Sequence, residues 1–126
     1  MPVWSLVSID DNTIASSSAD YTIRIWNLEK HRQKHMYEGH SRPVWKITMY
    51  DDNILASAGE DCLVKLWDTN QHAQIKTLIA HSQPIWGLSR VCEDYLATGS
   101  WDHTVKIWTT KNSEKKKPPT KKEILE

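Results

Sequence analysis

The stretch Ser57–Asp68, SAGEDCLVKLWD, decides the fold, because the same arrangement stands 41 residues before it and 41 residues after it. Upstream, Ser16–Asn27 reads SSSADYTIRIWN; downstream, Thr98–Thr109 reads TGSWDHTVKIWT. An acidic residue recurs at Asp20, Asp61 and Asp102, and a tryptophan at Trp26, Trp67 and Trp108, with no gap needed between copies. A fixed internal period of this length marks a repeat architecture, in which one supersecondary unit is stacked several times.

The residues between the aspartate and the tryptophan identify that unit. Tyr21–Trp26, Cys62–Trp67 and His103–Trp108 are short, rich in β-branched and aromatic residues, and carry no helical stripe. Ile23 and Ile25, Val64 and Leu66, and Val105 and Ile107 share one face of an extended strand, while Arg24 and Trp26 and their counterparts share the other. A turn of Ser, Ala, Gly and Asp precedes each, and a further strand precedes the turn at 13–17, 54–58 and 95–99. The prediction is an antiparallel meander. Its first strand opens on Pro2-Val3-Trp4, Pro43-Val44-Trp45 and Pro84-Ile85-Trp86, with a proline where a ladder needs no donor.

Length and composition set outer limits. The chain has 126 residues with 16 Lys plus Arg against 16 Asp plus Glu. No segment has the length of an apolar membrane span and the N-terminus does not read as a secretory signal. Cys62 and Cys92 fall in non-equivalent columns of the repeat and read as reduced strand residues, so an intracellular setting, cytoplasmic or nuclear, is expected. The balance of charge is uneven along the chain: residues 1–110 carry 10 basic and 13 acidic side chains, residues 111–126 carry 6 and 3.

After each Trp-bearing strand a fourth strand is expected, at 34–37 in the first copy and 74–79 in the second. The 41-residue offset places its third counterpart at 115–119, which reads Lys-Lys-Lys-Pro-Pro. Prolines and like charges oppose pairing there, so the last unit is expected to lack its outer strand and 111–126 to be a disordered Lys/Pro-rich tail. The expected units are 1–40, 41–81 and 82–110.

His40, Ser57, Asp61 and the Trp67-Asp68 dipeptide, and again His81, Thr98, Asp102 and Trp108, keep identical spacings. In this pattern the sequence resembles the WD-repeat family. Asn27 and Thr109 replace the aspartate of the name-giving dipeptide, and Ala80 replaces the glycine before the histidine. The resemblance implies that each unit is a four-stranded blade of a β-propeller. It also implies a structural hydrogen-bond network on His40, Ser57, Asp61 and Trp67, and on His81, Thr98, Asp102 and Trp108. In the first unit Ser16, Asp20 and Trp26 are present without the histidine.

Recurring His, Ser and Asp invite a hydrolase reading, but a catalytic site is normally built once, and here the hydroxyl is needed to hold a tryptophan. Scattered His31, His35, His72 and His103 offer no zinc spacing, and no Gly-rich loop would cradle a phosphate. We expect no catalytic site, no metal and no cofactor. The residues that a blade does not need are more informative. Trp4, Trp45 and Trp86 share a column, and in peptide-binding members of the family that column and the residue before the turn aspartate line the mouth of the central channel. The second set is Ala19, Glu60 and Trp101. With Arg42 and Gln83 these residues form a candidate partner-binding face, since aromatic residues and arginine dominate binding hot spots. The expected function is therefore a non-catalytic scaffold for a peptide or protein partner, an adaptor or substrate receptor in a larger complex. The alternatives are a nucleic-acid-associated protein docking through Lys115–Lys122, or a propeller fragment with no function of its own. Three blades do not close a ring. The first is expected to leave Ile23 or Trp26 uncovered, and the third Val105 and Ile107. Two copies forming six blades, or further blades of a longer chain, would cover them.

Overall fold

The computed structural model describes residues 1–109 and the backbone of 120–125. The described residues form β-strands and turns, in three antiparallel sheets. The first is β1 (Val3–Asp10), β2 (Thr13–Ser18), β3 (Ile23–Asn27) and β4 (Arg32–Tyr37); the second is β5 (Val44–Asp51), β6 (Ile54–Gly59), β7 (Leu63–Asp68) and β8 (Ala73–Ile79). The third is β9 (Ile85–Val91), β10 (Tyr95–Ser100), β11 (Thr104–Thr109) and β12 (Thr120–Leu125). In each sheet the strands pair in chain order, as a meander requires. β1 packs near β5 and β5 near β9, so the first strand of every blade lies innermost and the sheets fan out from it. The sheets do not close on one another, which makes this an incomplete propeller.

One expectation changes here. The 41-residue offset would put the last strand at 115–119, residues that lie outside the described ones, and the expectation of a three-stranded third blade followed that offset. Thr120–Leu125 instead runs antiparallel to β11, pairing Thr104 with Leu125 and Thr109 with Thr120. The physical reason is that TKKEIL contains no proline, so each of its residues keeps an amide for the ladder. That part of the predicted tail is a strand.

Alternation along the strands produces two cores. Between the first and second sheets Ala15, Ile23, Ile25 and Tyr37 meet Val44, Ile47, Leu55 and Trp67. Between the second and third, Ala56, Ala58, Val64 and Leu66 meet Ile85, Leu96 and Trp108. The second sheet is thus covered on both faces, and its central strands β6 and β7 are buried almost throughout. Of the two residues offered for the uncovered face of blade one, Ile23 is fully buried against blade two and Trp26 lies on the open side, because period-two alternation puts them on opposite faces. Val105 and Ile107 are half-buried on the open side of blade three, as expected.

The turn between the second and third strands of each blade is tight. Tyr21, Cys62 and His103 follow the turn aspartate in the left-handed region, with φ of 76°, 68° and 69°. The aspartate makes this possible: Asp20, Asp61 and Asp102 each accept the amide of the residue two positions on, at 3.0, 3.2 and 3.0 Å.

Candidate functional site

Two sets of side chains recur with the period, one inside the blades and one at their inner rim. In blade two the interior set runs from Trp67 to Asp61. Trp67 donates its indole N–H to Ser57 Oγ at 2.8 Å, Ser57 Oγ lies 2.7 Å from His40 Nε2, and His40 Nδ1 lies 2.7 Å from Asp61 Oδ2. An indole N–H can only donate and a carboxylate only accepts, so a neutral imidazole carrying its proton on Nδ1 satisfies every atom in the chain. Blade three repeats it with Trp108, Thr98, His81 and Asp102 at 3.1, 2.7 and 2.7 Å. Burial opposes a charge on Asp61, but the His40 hydrogen bond and the amides of Leu63 and Ser41 outweigh it and hold the carboxyl below the usual range. Asp102 is lowered in the same way, against burial, by Thr104 and His81.

Blade one keeps one end of this chain. Trp26 donates to Ser16 at 2.9 Å. Asp20 instead pairs with Arg24 at 3.0 Å and accepts the Thr22 hydroxyl at 2.6 Å. Burial raises its pKa, but Thr22, Arg24 and Ser18 together lower it to about 2. Arg24 was not foreseen in this role; its position in the column of Lys65 and Lys106, one turn from Asp20, was the available signal.

The rim set is formed by a different device. The carbonyl of the opening proline accepts the amide of the residue before the turn aspartate: Ala19 donates to Pro2 at 2.9 Å, Glu60 to Pro43 at 3.1 Å and Trp101 to Pro84 at 3.1 Å. These bonds bring the two predicted columns side by side at the same end of each blade. Trp45 and Trp86 stack with centroids 4.2 Å apart, and Trp86 meets Trp101 at 5.3 Å. Trp4, Trp45, Glu60 and Trp86, with Pro43 and Lys46, line one open groove of about 390 Å³. Trp4, Trp86 and Trp101 are 52, 46 and 59% exposed, so these rings are not consumed by packing between blades. Arg42 and Gln83 are exposed beside the prolines but do not line the groove. Pro43 and Lys46 do, and sequence reasoning had assigned Pro43 only a strand-starting role.

A further cluster at the outer edge of blades one and two was also missed. His35 and His72 stack at 3.4 Å, and the Tyr37 hydroxyl lies 2.8 Å from His72 Nδ1. These residues are far apart in sequence and share no repeat column.

The profile of the WD domain, G-beta repeat, matches residues 1–27, 31–68 and 72–109. The chain belongs to the WD-repeat family. It is similar to WD repeat-containing protein pop2 of Schizosaccharomyces pombe, with 47% identity over 38 residues, 30% of this chain and 5% of that protein. Its fold is similar to the WD40 β-propeller domain of Doa1, with a TM-score of 0.82 and 25% identity over 88% of this chain and 38% of that one. The structure of U3-55K gives 0.78 and 27%, covering 85% and 36%; the RRP9 WD40 repeats give 0.77 and 28%, covering 85% and 35%. The chain therefore spans well under half the length of these relatives.

Within a WD-repeat blade the His–Ser–Asp constellation is poorly suited to nucleophilic chemistry. Ser57 is wholly buried and Thr98 nearly so, and both hydroxyls are held by an indole and an imidazole. A nucleophile has to reach its substrate. WD40 propeller domains are in general non-catalytic scaffolds that bind protein partners, and no helix among the described residues is long and apolar enough to cross a membrane.

Proposed function

We propose that this chain is an interaction module, acting inside the cell as an adaptor or substrate receptor, that holds a peptide segment of its partner in the tryptophan groove. The observation that carries this reading is the run of ring contacts from half-buried Trp45 through exposed Trp86 to exposed Trp101, beside exposed Trp4. Aromatic faces left open to water at one rim cost hydration free energy that a partner recovers on binding. The neighbouring Glu60 and Lys46 supply charges of both signs for orienting a peptide.

The test uses the full chain as bait for a random peptide library, followed by titration of selected peptides against tryptophan fluorescence. Trp45→Ala with Trp86→Ala should weaken binding by about tenfold or more, as hot-spot aromatics do. The affinity should change little between about 50 and about 200 mM salt, whereas contact with a nucleic-acid backbone would fall steeply. Peptides that bind the double variant as well as the original chain would remove the support for this groove.

A further inference from the structure

The period separates what every blade requires from what one blade adds. In the column before the turn aspartate, blades one and three carry Ala19 and Trp101 while blade two carries Glu60, so the fold itself has no need of a carboxylate there. Glu60 is nevertheless held in place. Its amide donates to the Pro43 carbonyl at 3.1 Å, and the preceding Gly59 lies so close to the opening strand that an added Cβ would collide with the same oxygen. The half-buried Glu60 lines the groove with Trp4, Trp45 and Trp86. Its carboxylate has no hydrogen-bond or ion-pair partner among the described residues. Pro43, Trp45, Lys46 and Glu60 all belong to blade two, which has a blade on either side, so this part of the groove is formed between described blades.

We infer that the groove takes an arginine side chain of the partner peptide, with its guanidinium against the indole rings and paired with Glu60. This rests on the reading of the groove as a peptide site and names what the site selects. Indole faces are negative and attract a cation within about 6 Å of the ring centre, and an unpartnered carboxylate beside them supplies the counter-ion. A guanidinium meets both demands. It is flat, lies against aromatic faces, offers a fork of N–H donors to a carboxylate, and is less hydrated than an ammonium, so it gives up less on leaving water. An acidic side chain would be repelled by Glu60, and an apolar one would strip it of water without replacing the lost bonds. Lys46 also lines the groove but does not cancel this selection. Its exposed side chain is long enough to carry the ammonium out into water, whereas Glu60 is shorter and its backbone is fixed. One half-buried pair is only weakly screened, so a small salt dependence remains the expectation.

Peptides selected from a random library on the full chain test this. Those that lose affinity on Trp45→Ala with Trp86→Ala occupy the groove, and they should share an arginine. Should the double variant lose its β-sheet circular dichroism, Trp86→Ala alone replaces it, since that ring is 46% exposed. Exchanging the shared arginine for citrulline, which keeps the shape and removes the charge, should weaken binding by about tenfold or more, and exchange for lysine by less. Glu60→Gln, an isosteric change, should weaken the arginine peptide by a similar factor and leave the citrulline peptide within about twofold, because only the charged pair couples to it. Glu60→Lys should invert the preference, so that glutamate at that position binds better than arginine. Groove-bound peptides with no arginine in common would overturn the inference while leaving the groove as a peptide site. So would a citrulline or lysine peptide that binds as well as the arginine one, or a Glu60→Gln change that weakens arginine and citrulline peptides alike. Peptides indifferent to the tryptophans would overturn both readings.

Discussion

Replacing Asp61 with alanine removes an acceptor that serves three donors, and the three do not lose equally. His40 Nδ1 lies 2.7 Å from it, and the amides of Ser41 and Leu63 each lie at 3.2 Å. Ser41 is exposed, so water takes over its amide at little cost. The side chains of His40 and Asp61 are 1 and 3% exposed, so the imidazole N–H is left without a partner in the interior. A buried hydrogen bond to a charged group is worth about 1.5–3 kcal/mol, and the partly buried Leu63 amide adds a fraction of one more. The expected loss is about 2–3 kcal/mol, or about 10 °C in Tm for a domain of this size. Asp61→Asn keeps an oxygen toward the imidazole and should lose less than half as much. Asp20→Ala should cost less than Asp61→Ala, because its Arg24 partner is 36% exposed and surface ion pairs contribute about 0–1 kcal/mol. Urea unfolding followed by circular dichroism at one fixed protein concentration measures all three. A loss under about 0.5 kcal/mol for Asp61→Ala, within the range of ordinary surface changes, would refute the reasoning, as would Asp20→Ala costing more.

Acid should act through the same carboxylates. Asp20, Asp61 and Asp102 all have folded pKa values below 3.8, Asp20 at about 2, so their contribution is present above 3.8 and is lost as pH falls through the folded values. His72 is also lowered, by burial and by His35 and Lys34, which predicts a smaller loss beginning below 6.5. Tm measured from neutral pH downward should therefore fall gently and then steeply; a Tm unchanged between 3.8 and about 2 would contradict the aspartate assignments. Ser17 is fully buried and its Oγ has no hydrogen-bond partner, while blade two has Ala58 in the same column. Ser17→Ala should raise stability by about 1 kcal/mol in urea unfolding, since an unsatisfied buried hydroxyl is removed without changing the fold; destabilisation would show that the hydroxyl is used.

The repeat, its strands and the hydrogen-bond network could be read from the sequence because each is local or recurs at a fixed spacing. Alternation in IRIW, LVKLW and VKIW specifies a strand with two distinct faces, and His40, Ser57, Asp61 and Trp67 stand at positions that the turn and the meander bring together. The order of the blades along the chain does the rest. Other features depended on which surfaces meet. Nothing in the alternation says whether Ile23 or Trp26 looks toward the next blade; the handedness of the fan decides that, and it buries the isoleucine. The offset rule failed for β12 because a strand's place is set by hydrogen-bonding capacity as well as by spacing, and Thr120–Leu125, with an amide at every residue, pairs with β11. Arg24 taking up Asp20, although its counterparts Lys65 and Lys106 do not pair with the turn aspartate in their blades, and the stacking of His35 on His72 across two blades, depend on which side chains the packed sheets bring together. The tryptophan columns were visible as columns. That Trp45 stacks on Trp86 is decided by the packing of blade three on blade two, and that Trp86 meets Trp101 by the Pro84 carbonyl holding the turn against the opening strand, contacts that only packed backbones can make.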